Sequence, residues 1–123
     1  MACADRKKTV VLGGFLLIAA DILISGTCGS VQGKESHEVG KKIYLESCQN
    51  CHGPTGKGDS DMAAYLTPPP ANLVAKSTQA KTDAQLRKII LEGRPGTAMT
   101  GYEGAFEEAQ LADLLAYIRS LKP

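Results

Sequence analysis

Residues 53–78 show neither the helical nor the strand period of hydrophobicity, and this constrains the chain more than any other stretch. Gly53-Pro54, Gly56, Gly58 and Pro68-Pro69-Pro70 punctuate it, and Ala63–Leu66 leaves room for one helical turn. A compact domain seldom holds so long a connection without structure of its own unless the connection wraps a large object. The chain is also short of bulk: its 123 residues include 2 Phe, 4 Tyr and no Trp. Those are the side chains on which small cores lean most. Something other than the chain's own side chains is expected to fill the middle.

Three helices are expected around that loop, and no strand. The first starts near Ser36 or His37, with Ser36 as a possible cap, Val39, Ile43 and Tyr44 on one face, and an end around Cys48–Cys51. The second starts at Thr82, where Thr82-Asp83-Ala84-Gln85 fits a capping box, and Gly93 is placed to stop it. Residues 93–106 read as loop. The third runs from about Glu107 to Leu121, with Leu111, Leu114, Leu115, Ile118 and Leu121 on one face. Glu107 and Glu108 suit the positive end of its dipole, and Arg119 and Lys122 the negative end.

The first thirty residues read as an address. Arg6, Lys7 and Lys8 precede an apolar run from Val10 to Ile24, and small residues follow up to Ser30. Three fates fit: a cleaved secretory signal, a retained membrane anchor through residues 9–28, or acylation at Cys28. Asp21 would be costly in a bilayer, and Ser25-Gly26-Thr27 is a poor lipoprotein match. Each fate puts the domain outside the cytoplasm, periplasmic or on the outer face of the membrane. The expected division is residues 1–30 as leader or anchor, 31–37 as linker and 38–123 as the functional domain. The net charge of +1 argues against a nucleic-acid binder. Without residues 1–30, basic and acidic side chains balance.

Cys48-Gln49-Asn50-Cys51-His52 is C-x-x-C-H, the attachment signature of c-type haem. Two thiols at this spacing near a helix end reach two vinyl groups on one porphyrin edge, and the adjacent His52 offers its ring to the iron. A thioredoxin-like dithiol would need a βαβ pattern, which the chain lacks. A zinc site would need a fourth ligand, with His37 or Cys28 travelling to supply it. A structural disulfide would leave His52 unexplained. For the sixth iron ligand Met99 is the choice, in a Gly/Pro loop between two helices. Met62 or an open position is the alternative. Arg94 and Tyr102, in the same loop, are further candidate cofactor contacts.

With these residues the sequence resembles a class I mono-haem c-type cytochrome, from about Gly40 to Leu121. Gly40 and Tyr44 match the family's Gly and aromatic on the first helix, and Ala116-Tyr117-Ile118-Arg119 matches the last. The resemblance implies an all-α cytochrome c fold with long loops wrapping one covalently bound haem c, its first and last helices crossing at Gly40. Pro70-Ala71-Asn72-Leu73 is similar to the family segment whose Pro carbonyl accepts from the axial His, which implies that Pro70 orients His52. Gly93–Met99 resembles the loop that ends in the axial Met, with Thr100 where relatives commonly carry Pro.

The implied activity is single-electron transfer between redox proteins in a respiratory or photosynthetic-type chain, by a protein that is not an enzyme and is a monomer when free. A dedicated haem subunit of a larger oxidoreductase is the second reading, and a haem enzyme with an open iron position the third. Lys41, Lys42, Lys57, Lys76 and Lys81 either frame part of the haem edge for docking or are solvated surface charges.

Overall fold

Gly40 decides how the first helix meets the last. The structure, a computed structural model, describes residues 31–121. The leader or anchor expected in residues 1–30, with Cys28, lies outside them. α1 spans Val31–Ser47, α2 Gln49–His52, α3 Lys76–Gln79, α4 Asp83–Glu92 and α5 Glu108–Ser120. A short 3-10 turn covers Met62–Tyr65. The described residues contain no strand, so the fold is all-α. No helix among them is long and apolar enough to cross a membrane.

α1 and α5 cross at Gly40. A Cβ there would sit 2.1 Å from the backbone oxygen of Asp113 and 2.9 Å from Cβ of Tyr117. Only glycine admits so close an approach. Around the crossing Tyr44, Leu111 and Leu114 are fully buried, and the Tyr44 and Tyr117 rings lie 5.3 Å apart. The expected Val39, Ile43 and Tyr44 stripe faces this core.

α1 begins earlier than its periodicity suggests. Residues 31–37, expected as linker, are helical, and Ser36 lies inside the helix rather than capping it. Lys34 and Glu35 are good helix formers. Ser36 and His37 are used instead to reach α5. The Ser36 hydroxyl donates to Asp113, and His37 Nε2 lies 3.1 Å from Ser120 Oγ with its ring edge on Tyr117.

α4 starts with the expected capping box: Gln85 N–H donates to Thr82 Oγ1 (3.2 Å), and Thr82 N–H donates to Gln85 Oε1 (2.8 Å). Leu86 and Ile90 bury against α5. Two ion pairs fasten these helices. Arg87 forks onto Glu108 at the start of α5. Arg119 reaches back to Asp83 at 2.7 Å and also donates to the carbonyls of Gln79 and Lys81. Arg119 therefore serves a neighbouring segment as well as the dipole of its own helix. α3 falls in the stretch read as loop: Asn72 Oδ1 accepts from the N–H groups of Val74 and Ala75, and Thr78 Oγ1 donates to Asn72 O at 2.8 Å.

Candidate cofactor site

The end of α1 and the turn of α2 present Cys48, Cys51 and His52 together. Cys48 N–H still bonds to Tyr44 O (2.9 Å), so Cys48 continues the frame of α1, and His52 N–H bonds to Cys48 O (2.9 Å) one turn on. Gly53, at φ 76°, then turns the chain out, and its carbonyl accepts from the buried Tyr44 hydroxyl at 2.6 Å. That bond ties the core of the α1–α5 crossing to the backbone directly after His52. Burial raises the Tyr44 hydroxyl well above its ordinary value, so it stays protonated as the donor.

Cys48 and Cys51 are free thiols, so no disulfide closes the pair. No group of three or more His, Cys, Asp or Glu gathers among the described residues, which removes the zinc reading there. Burial, helped by the neighbouring Cys51, pushes the Cys48 thiol up to about 11. Burial lowers the His52 ring below its usual value, against the opposing pull of its bond to a carbonyl. The ring is then neutral near pH 7, with Nδ1 engaged and Nε2 carrying the free lone pair.

That carbonyl belongs to Ala71, 2.9 Å from Nδ1, and not to Pro70 as the resemblance implied. Pro70 O faces Gly58 instead, where a Cβ would lie 2.6 Å from it. Three consecutive prolines left the register open by one residue, and Pro70 contributes to the cavity as wall.

The cavity has two lobes, of about 230 Å3 and 300 Å3, that share Cys48, His52, Ala71, Arg94 and Met99. Cys51, Leu66 and Tyr102 line the first lobe, and Leu73, Lys81, Leu86 and Ile118 the second. Cys48, Cys51, His52, Pro70, Arg94, Met99 and Tyr102 therefore all reach one cavity. Met62 does not: it is 51% exposed on the 3-10 turn and lines neither lobe. Of the five lysines considered for docking, Lys81 alone lines a lobe.

Met99 is delivered by a loop with its own bonding. Arg94 N–H donates to Met99 O (3.0 Å), Met99 N–H to Thr97 Oγ1 (3.2 Å), and Thr97 Oγ1 to Arg94 O (2.8 Å). The loop returns so closely on the end of α4 that a Cβ on Gly93 would lie 2.7 Å from Met99 O. Tyr102 N–H bonds to Ile90 O at 3.0 Å, and the Tyr102 hydroxyl donates to Ser47 O at 2.7 Å, linking this loop to α4 and α1. Burial and the two cysteines raise the Tyr102 hydroxyl above its ordinary value. Sequence reasoning missed Ala71, Thr97 and Leu73. Thr97 carried a signal, a hydroxyl two residues before Met99 in a turn.

The donor set fits a haem: two free thiols, a neutral imidazole with Nε2 free, a thioether and mainly apolar walls. The cytochrome c family profile matches residues 37–122. The chain is 33% identical over 84 residues to the dihydro-heme d1 dehydrogenase of Pseudomonas aeruginosa, covering 68% of this chain and 15% of that protein. It is 35% identical over 83 residues to the Cbb3-type cytochrome c oxidase subunit FixP of Bradyrhizobium diazoefficiens, covering 67% of this chain and 26% of that one. Among solved structures it resembles a Kuenenia stuttgartiensis reducing HAO-like protein complex, with TM-score 0.61 and 26% identity over 69% of this chain and 42% of the other. It also resembles the c-type cytochrome KustC0563, with TM-score 0.59 and 25% identity over 68% of this chain and 98% of the other. The chain thus spans about a quarter or less of these two curated relatives.

Proposed function

The chain belongs to the cytochrome c family and carries covalently bound haem c in electron transfer, and on that premise we propose a one-electron carrier with His52 and Met99 as the two axial ligands, working in a periplasmic or membrane-associated chain. The observation that carries the reading is the shared lining. His52 and Met99 face both lobes of one cavity, while Met62 stands outside it.

When bound, the haem supplies a metal that alternates between two oxidation states one electron apart. The chain's own residues do the rest. Cys48 and Cys51 are the attachment points. The Ala71 carbonyl fixes the His52 ring and strengthens it as a donor through Nδ1–H. The closed loop from Arg94 to Met99 brings the thioether forward at little cost in reorganisation. A soft thioether and low-dielectric walls such as Leu66, Leu73 and Ile118 favour the reduced state and raise the potential. Were His52 and Met99 both to hold the iron, no position would remain for a substrate, and the domain would act as a carrier and not as an enzyme.

The redox partners are proteins, met through small transient contacts by a domain that is a monomer when free. Residues 1–30 direct it out of the cytoplasm as leader or anchor, and the domain begins with α1, whose Ser36 and His37 bond to α5. A permanent subunit role is the second reading, favoured by the likeness to FixP, an oxidase subunit, and to the Kuenenia complex. The ferric visible spectrum of the matured protein tests the ligation. A red-end charge-transfer band should be present, vanish in Met99→Ala and persist in Met62→Ala. High-spin features in the unmutated protein would overturn it. Gel filtration with native partners separates free carrier from subunit, and mass spectrometry of the exported protein reads the fate of residues 1–30.

A further inference from the structure

Resting on the His52–Met99 reading above, we propose that Tyr102 is the positioning residue for Met99: its hydroxyl straps the Met99 loop to the attachment segment, and that one bond sets how readily the loop opens to an outside ligand. The need for a strap starts in α1. That helix ends and α2 begins across Cys48, and the amides of Cys51 and His52 both donate to Cys48 O, at 3.2 and 2.9 Å. Ser47 O, one residue earlier, has no backbone donor among the described residues, as is usual for the last carbonyls of a helix. The Tyr102 hydroxyl, 55 residues downstream, supplies the missing donor at 2.7 Å.

The other bonds of the loop do not reach so far. Arg94, Thr97 and Met99 bond to one another, and Tyr102 N–H bonds to Ile90 O in α4. Those bonds shape the loop and tie it to α4 alone. Ala98 and Thr100, on either side of Met99, are exposed. Among the described residues, the Tyr102 hydroxyl makes the one hydrogen bond from residues 93–106 to α1 or α2. Tyr102 and Met99 line the first lobe together with Cys48, Cys51 and His52. The Tyr102 ring is held in its direction by Phe106, which stacks on it with centroids 5.3 Å apart and planes at 19°. Withdrawing Met99 carries the loop away from α1, so the hydroxyl bond exists in the closed state and is lost in the open one. A contact made in one state only biases the balance between the two.

The test is binding of imidazole to the ferric, haem-bearing protein, read as loss of the red-end charge-transfer band. Imidazole takes the place of Met99 and binds the open state, so its apparent affinity follows the open fraction. Tyr102→Phe keeps the ring and its stacking and removes the bond. The apparent affinity should then rise by about three- to tenfold, the worth of one net hydrogen bond. Hydrogen exchange gives a second readout: the Arg94 and Met99 amides should exchange faster in Tyr102→Phe. Thr82→Ala, which lowers stability from the far end of α4, is the control for a merely structural effect. It should leave the affinity and both amides within error of the unmutated protein. Phe106→Leu frees the Tyr102 ring, should move the affinity in the same direction, and stands in if Tyr102→Phe fails to mature. An affinity no higher than that of Thr82→Ala, or unchanged exchange at both amides, overturns the strap. Absence of the red-end band from the unmutated protein takes down the His52–Met99 reading and this inference together. A band that is present, with an unmoved affinity, takes down this inference alone.

Discussion

Gly40→Ala should be among the most destabilising single-methyl additions the chain can suffer. The added Cβ would lie 2.1 Å from Asp113 O and 2.6 Å from the carbonyl carbon, where ordinary contact begins at 3.4 Å. The shortfall is about 1.3 Å, and the obstacle is helix backbone rather than the end of a flexible side chain. α1 and α5 must therefore part at their crossing. A radial gap of about 0.5–1 Å already forfeits a quarter to a half of each dispersion contact, and Tyr44, Leu111, Leu114 and Tyr117 all pack there. The cost belongs at the upper end of overpacking, about 3 kcal/mol. At about 4–8 °C per kcal/mol for a domain of this size, Tm falls by about 12–24 °C. Gly33→Ala is the control in the same helix: nothing lies within 4 Å of the added Cβ, and removing a helix-interior glycine stabilises by about 0.5–1 kcal/mol. Far-UV circular dichroism melts of the two ferric haem proteins make the comparison. A Gly40→Ala protein melting within about 4 °C of the unmutated one would refute the close crossing.

Tyr44→Phe removes the buried donor to Gly53 O, which keeps only the Gly56 N–H at 3.1 Å; a loss of about 1 kcal/mol is expected in urea unfolding. Thr82→Ala deletes the cap of α4 and should cost about 1 kcal/mol, with Thr82→Ser restoring it. Arg87 holds the Glu108 carboxylate below the usual range. Its charge therefore contributes fully above that range, and the contribution is lost as pH falls through the lowered value. The Tm difference between Glu108→Gln and the unmutated protein, present at about pH 7, should close as pH falls below the usual carboxylate range. A difference that persists in acid would show that the contact does not act through charge.

The C-x-x-C-H run was legible as a unit, because its chemistry requires it to be contiguous, and the structure brings Cys48, Cys51 and His52 to one cavity. Thr82–Gln85 and the stripe of α5 were equally readable, since capping and helical period are local. Three things were not. The start of α1 was misjudged because Ser36 and His37 look like a helix entrance, and their real partners, Asp113 and Ser120, lie at the far end of the chain. The acceptor for His52 was displaced by one residue because three prolines carry no register, and only the position of Gly58 against Pro70 O resolves it. α3 lacks an apolar stripe and is held by the Asn72 side chain and carbonyl, which hydrophobic periodicity does not report.

The contact between His37 and Ser120 has a consequence for assembly. It sets the second turn of α1 beside the last residue of α5, so the haem-binding unit can be opened into a host polypeptide at two neighbouring points about two helical turns apart. Grafted into an exposed turn of a larger protein, it would need only short connectors and would leave the host's ends where they were.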